Sequence, residues 1–223
     1  MRKILLLCFF LLLVAPFLRA AEVSIIYGED SLWDKKEVAF AERRANGMKR
    51  HLARVGFNVA VYSDKDYKNA LSKDCKTASL LLCHNPNKEF ISELQKFVSR
   101  GGRLSIFYSG SPALAQLMGV SVEKFVAPPK KTDKWERLVF TWPRPIHMPE
   151  VYAHELPRVL QLIPGKESKV IGSWVSTSGE KGPVGLIETP YGFWVSFLPS
   201  EYANPKDYTF FVASMSYHAY SNP

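Results

Sequence analysis

Cysteine is scarce in this 223-residue chain, with three residues in all. One of them, Cys8, lies in the first apolar run, and it lacks the small-residue context that precedes a lipidated cysteine. No Cys-x-x-Cys pair occurs, which excludes the common zinc modules and leaves no metal site to expect. Cys75 and Cys83 remain. If Cys83 sits well inside a strand that starts near Ala78, a rise of ~3.3 Å per residue carries it beyond the ~7 Å Cα separation that a disulfide tolerates. Two free thiols, one of them buried, are expected.

Long hydrophobic runs are also missing, with one exception. Residues 4–14 form an apolar stretch behind Arg2 and Lys3 and ahead of Ala20 and Ala21. That order is the charged, apolar and cleavage-site order of a secretory signal peptide, and the run is short of the ~18 residues a membrane span needs. Residues 1–21 are therefore expected to be removed, leaving an exported domain, periplasmic or extracellular, with no stable membrane anchor. Arg2, Lys3 and Arg19 go with them, so the formal charge falls from +8 to +5. The remaining positive charge is scattered over Arg43-Arg44, Lys49-Arg50 and Lys130-Lys131. It reads as solvated helix faces and loops, without the clustering a nucleic-acid surface needs. Repeats and low-complexity linkers are absent, and residues 22–223 read as a single domain.

Within it, "VSIIYGE", "NVAVYS", "ASLLLCHN" and "RLSIFYS" read as strands, each followed by a helical pattern. The longest helix carries Val38, Ala41, Ala45, Met48, Leu52 and Val55 at spacings of three and four, with Asp34 and Glu37 placed as a capping box and Gly56 at its end. In "NKEFISELQKFVSRGG", Phe90, Ile91, Leu94, Phe97 and Val98 form the inward stripe. Four βα units in succession over residues 22–120 predict an α/β fold with a doubly wound, mainly parallel sheet. Residues 121–223 are expected to hold a Pro- and Lys-rich loop, "APPKKTDKWE", then a β-meander ("RVLQLIP", "KVIGSWVST", "GPVGLIET", "GFWVSFLPS") and a final helix over 205–217.

In such a sheet, chemistry gathers at the carboxyl ends of the strands. Those ends carry Glu29 and Asp30, Asp64, His84 and Asn85, then Tyr108, Ser109 and Ser111. Ser109 or Cys83 with His84 as base would make a small hydrolase. A hydrolase elbow is Gly-x-Ser-x-Gly, however, and Phe107 and Ser111 occupy the glycine places. The plainer readings are a turn serine and a hydrogen-bonded strand-end histidine. Glu29 and Asp30 read as capping or solvated carboxylates, since no histidine joins them to make a cation site. Trp135, Trp142, Trp174 and Trp194 could stack on sugar rings, although tryptophans alternating with Val and Phe usually pack inward. Trp142, between Thr141 and Pro143, is the best placed for exposure.

The stretch "GGRLSIFYSGSPALAQLMGV" resembles the elbow of the class I glutamine amidotransferase-like superfamily, in which a catalytic cysteine ends a strand ahead of a helix. Aligned on that pattern, the elbow glycine matches Gly110 and the cysteine position falls on Tyr108. His154-Glu155 come near the family's downstream His-x-Glu in order without matching it. A phenol of pKa ~10 is a poor substitute for a thiolate, so the resemblance implies no glutaminase activity. A narrower likeness involves "GMKRHLARVGFNVAVYSDKDY", "CHNPNKEFISELQKFVSRGGRL" and "VIGSW…GPVGLIETPYGFWVSFLP". These look like the amidotransferase-like N-terminal domain of exported, family-10-like glycosyl hydrolase proteins. That likeness implies an accessory domain without its own catalytic apparatus or cofactor. It also implies a ligand cleft around Glu29, Asp64, His84, Asn85, Tyr108 and Ser109, and a carbohydrate or glycosidase-type partner. The chain ends about where the barrel of those proteins would begin, so it is expected either to stand alone or to be half of a split protein.

Overall fold

The computed structural model describes residues 22–221 apart from 33, 142–147 and 203, with side chains described to Tyr217. Residues 1–21, expected to be a leader, and Trp142 lie outside the described residues. No described helix is long and apolar enough to cross a membrane.

The βα units follow the expected order. Strand β1 (Val23–Tyr27) leads to helix α1 (Lys35–Arg54), β2 (Val59–Ser63) to a 3-10 turn and the short α2 (Tyr67–Ala70), β3 (Thr77–Leu81) to α3 (Lys88–Ser99), and β4 (Arg103–Phe107) to α4 (Pro112–Met118). Local chemistry sets the boundaries. The Asp34 carboxylate caps α1 by accepting from Lys36 N–H at 2.8 Å, and Asn87 caps α3 by accepting from Phe90 N–H at 2.8 Å. Ser111 caps α4, with Pro112 in the first turn, where a missing N–H costs nothing. On α1 the stripe Ala41, Ala45, Met48 and Leu52 is buried as expected, whereas Val55 has left the helix as its C-cap and is 48% exposed.

After α4 come β5 (Ser121–Val126), β6 (Trp135–Phe140), β7 (Val151–Leu156), β8 (Val159–Ile163), β9 (Lys169–Ser176), β10 (Lys181–Thr189), β11 (Gly192–Val195) and helix α5 (Pro205–Ser221). The main sheet has the order β2-β1-β3-β4-β11-β10-β9-β6-β7. Its pairings are parallel from β2 through β11 and antiparallel from β11 to β7. The fold is therefore α/β, as expected, with the five strands β2-β1-β3-β4-β11 parallel and antiparallel strands completing a mixed sheet. The C-terminal strands β9, β10 and β11 form an antiparallel meander that extends the same sheet, because β11 inserts parallel to β4.

Two further expectations are corrected. The loop "APPKKTDKWE" ends in strand β6, because Trp135 is drawn into the core. Its indole N–H donates to Val126 C=O at 2.9 Å, and its ring covers Gly182, where a Cβ would come within 2.3 Å of it. "RVLQLIP" leaves the meander: β8 pairs with β5 in a separate two-stranded ribbon. Trp135, Trp174 and Trp194 are all 2% exposed or less, so none of them is a sugar-stacking platform.

Apolar clusters fill both faces of the sheet. On one, α1 (Met48, Leu52) and α5 (Phe211, Met215) pack on Ile25, Leu81, Phe107 and Val195. On the other, α3 and α4 (Phe90, Leu94, Met118) pack on Ile26, Leu80, Ile106 and Trp194. The seam at β11 depends on one residue. Gly192 has φ +135°, and a Cβ there would stand 1.9 Å from the Leu104 carbonyl oxygen. Gly192→Ala is expected to destabilise the fold by about 3 kcal/mol or more, read as a lowered urea midpoint.

Candidate functional site

The carboxyl edge is built by two central strands that end in the same unusual way. Leu82 after β3 and Tyr108 after β4 have φ of 57° and 51°, and among the described residues they are the two non-glycine positions with positive φ. Strand β3 therefore stops at Leu81, and Cys83 lies beyond it, not inside it as the apolar run suggested. Both turns are tied down. Leu82 N–H donates to Phe107 C=O at 3.2 Å and Tyr108 N–H to Val195 C=O at 3.0 Å. The Ser109 hydroxyl donates to Cys83 C=O at 2.6 Å and accepts from Ser111 N–H at 3.2 Å. Gly28 permits the close approach of the neighbouring loop, since a Cβ there would meet the Leu82 carbonyl oxygen at 2.5 Å.

His84 follows directly. Its Nδ1 accepts from Gly110 N–H at 3.1 Å, which fixes the neutral tautomer that carries its proton on Nε2. Burial lowers its pKa, with the Glu37 carboxylate partly opposing that effect, so near neutral pH the imidazole is an uncharged donor. The Tyr108 ring packs edge-on to it, with centroids 6.3 Å apart, and tilts against Phe125 at 5.4 Å. Burial raises the phenol pKa of Tyr108 further, and the group stays protonated.

The other nucleophile candidates stand differently. Ser109 is wholly buried, with its hydroxyl engaged as described. Cys83 is wholly buried too, its sulfur 3.7 Å from Leu81 C=O and 3.8 Å from Ile26 C=O, and desolvation pushes its thiol pKa well up. Cys75 is likewise a buried free thiol.

Two cavities open beside Tyr108. The first, of ≈ 310 Å³, is lined by Ser31, Leu32, Glu37, His84, Asn85, Gly110 and Phe125. The second, of ≈ 210 Å³, borders Tyr108 itself together with Leu82, Phe40, Arg44, His154, Arg158 and the apolar Leu156, Phe197 and Leu198. Of the expected cleft residues, His84 and Asn85 line the first cavity and Tyr108 the second, with the His84 and Tyr108 rings in edge contact. Glu29 and Asp64 stand apart from both cavities. The Asp64 carboxylate is 2% exposed. It accepts from Glu29 N–H and Asp30 N–H at 2.8 Å each, from Ser31 N–H at 3.1 Å and from the Ser31 hydroxyl at 2.6 Å, so it clamps the β1–α1 loop. Glu29 pairs with Lys65 at 2.9 Å on the surface, and that hydrogen bond lowers its pKa.

Sequence reasoning did not single out Glu37, Phe125, Phe40, Arg44 or Arg158. Glu37 passed as a capping residue, Arg44 as a solvated face, and Phe125 lies in a strand the sequence pattern did not reveal. His154 drew notice only through its order in the chain. The structure places it on the second cavity, while Glu155, its neighbour in β7, is exposed and bound to Lys134 at 2.7 Å. Consecutive strand residues face opposite ways, so the two do not form a His–Glu dyad. Burial, and after it the Arg44 charge, lowers the His154 pKa to about 4. Its Nδ1 is buried without a hydrogen-bond partner among the described residues.

No family model matches the chain, and no curated protein matches it. Solved structures do. A putative ThuA-like protein from Bacteroides uniformis superposes with a TM-score of 0.66 at 13% identity, covering 90% of this chain and 91% of that one. A β-galactosidase from Bacillus circulans sp. alkalophilus gives 0.66 at 13% identity over 90% of this chain. An α-L-fucosidase from Paenibacillus thiaminolyticus gives 0.59 at 12% identity over 91%. These likenesses show a shared fold. The chain spans 31% of the galactosidase and 33% of the fucosidase.

Two outcomes follow from this geometry. Asp64→Asn replaces one acceptor oxygen by a donor facing Ser31. It should cost about 2–3 kcal/mol in urea unfolding and speed hydrogen exchange at residues 29–31. For His154, the unfolded chain binds its proton near 6.5 and the folded chain only near 4, so the unfolded state holds more protons in between. Stability should then fall as pH drops from 7 to 5, by on the order of 1 kcal/mol from this group, and His154→Gln should flatten that slope in denaturation curves taken at both pH values.

Proposed function

We propose that this protein is an exported, non-catalytic binding domain accessory to glycoside processing, taking a saccharide in the cavity between His84, Asn85, Glu37 and Phe125. The observation that carries the reading is the occupant of the elbow. A nucleophile belongs at the strained strand-to-helix turn, and here the left-handed residue is Tyr108, whose protonated phenol is no nucleophile near neutral pH. The two alternatives behind it, Ser109 and Cys83, are buried.

The cavity chemistry suits a neutral sugar. Phe125, 46% exposed, offers an aromatic face for ring C–H groups. The His84 Nε2–H donates, the Glu37 carboxylate accepts and the Asn85 amide does both, matching the donor-and-acceptor character of sugar hydroxyls. The fold neighbours among a galactosidase and a fucosidase support an association with carbohydrate at the level of fold.

Thermal-shift screening with neutral monosaccharides tests the reading. A sugar at ten times its Kd should raise Tm by about 3–5 °C, and Phe125→Ala should abolish the rise. Iodoacetamide and a fluorophosphonate should both leave the folded protein unlabelled. Labelling of Ser109 or Cys83 that is lost in His84→Ala would establish the hydrolase reading instead.

A further inference from the structure

The second cavity has a different chemistry from the first. It carries two arginines and no carboxylate among its lining residues. Arg44 is half-buried and held in place: one Nη donates to the Ser200 hydroxyl at 2.9 Å, and the guanidinium lies 5.0 Å from the Phe40 ring and 5.6 Å from the Tyr202 ring. A half-buried guanidinium has five N–H donors to satisfy, yet among the described residues neither Arg44 nor Arg158 has a carboxylate within ion-pair distance. The rest of the wall is hydrocarbon, from Leu82, Leu156, Phe197 and Leu198.

We infer that this cavity binds a small organic carboxylate with an apolar body, the anion facing Arg44 and Arg158 and the body resting on Leu156, Phe197 and Leu198. Planar guanidinium groups match a carboxylate fork. Inorganic phosphate would meet the same arginines but has no apolar surface to bury against the leucines. The volume, ≈ 210 Å³, is below the ~300 Å³ at which pockets for drug-sized ligands begin, which limits the body to about one ring or a short branched chain. His154, kept neutral by burial and by Arg44, adds no competing charge. The Tyr108 phenol, protonated, supplies a further donor at the rim.

The site is distinct from the saccharide cavity, so the two readings fail separately. Isothermal titration of the full mature chain with benzoate, benzamide and inorganic phosphate tests it. Saturable benzoate binding is expected, with benzamide at least about tenfold weaker because it lacks the charge. Arg158→Gln, a change at an exposed position, should weaken benzoate about tenfold, while Phe125→Ala should leave benzoate binding in place. Absence of saturable benzoate binding, equal binding of benzamide, an Arg158→Gln variant with unchanged affinity, or binding of phosphate alone would each overturn the proposal.

Discussion

Two left-handed residues at the ends of neighbouring central strands set the geometry of this molecule's working edge. An αL conformation at Leu82 and at Tyr108 costs about 1–3 kcal/mol each, and the chain adopts it twice within one pair of strands. Each turn is over-determined by its neighbours. Leu82 is bonded to β4, Tyr108 to β11, and the Ser109 hydroxyl ties the second turn to the backbone of the first. Hydrogen bonds of about 1 kcal/mol apiece offset part of the strain. The result brings the His84 and Tyr108 rings side by side and leaves a cavity on either side of the pair. A strained strand-to-helix turn is how a fold presents a reactive group; this one presents a phenol.

The surroundings hold that edge rigid. On one flank the Asp64 carboxylate gathers three backbone N–H groups and a hydroxyl of the β1–α1 loop, which positions Ser31 and Leu32 on the first cavity. On the other flank β11 locks against β4 through Gly192, so Val195 is in place to receive Tyr108. The first cavity is lined by His84, Glu37, Asn85 and Phe125, the second by Arg44 and Arg158 among others. Asp64 ties down a loop, Glu29 pairs with Lys65 and His84 lines a cavity, although all three look alike as polar strand-end residues in a linear reading.

How far the sequence could be read follows from where its signals are local. The first four βα units carry caps, stripes and turn glycines within a few residues of each other, so their order was legible, as was the position of His84 and Tyr108 after the ends of neighbouring strands. The second half depends on long-range pairing. Nothing near Trp135 says that it will be pulled over Gly182, and nothing in "RVLQLIP" says that it will leave its neighbours for β5. The apolar run through Cys83 concealed the turn at Leu82, since an αL leucine has no sequence signature. Arg44 looked like any exposed helix cation because its cavity is closed by residues from the far end of the sheet and from the loop before α5. Asp64 was visible as a strand-end carboxylate, but only coordinates show its oxygens already taken.

The central claim is that the carboxyl edge binds and does not react. Its most direct test is a crystal structure of residues 22–223 soaked with concentrated galactose, glucose and mannose. The account predicts an intact sugar ring lying on Phe125, with hydroxyls on His84 Nε2 and the Asn85 amide. Density continuous with Ser109 Oγ or Cys83 Sγ, or a cavity beside Phe125 that stays empty of sugar, would contradict it.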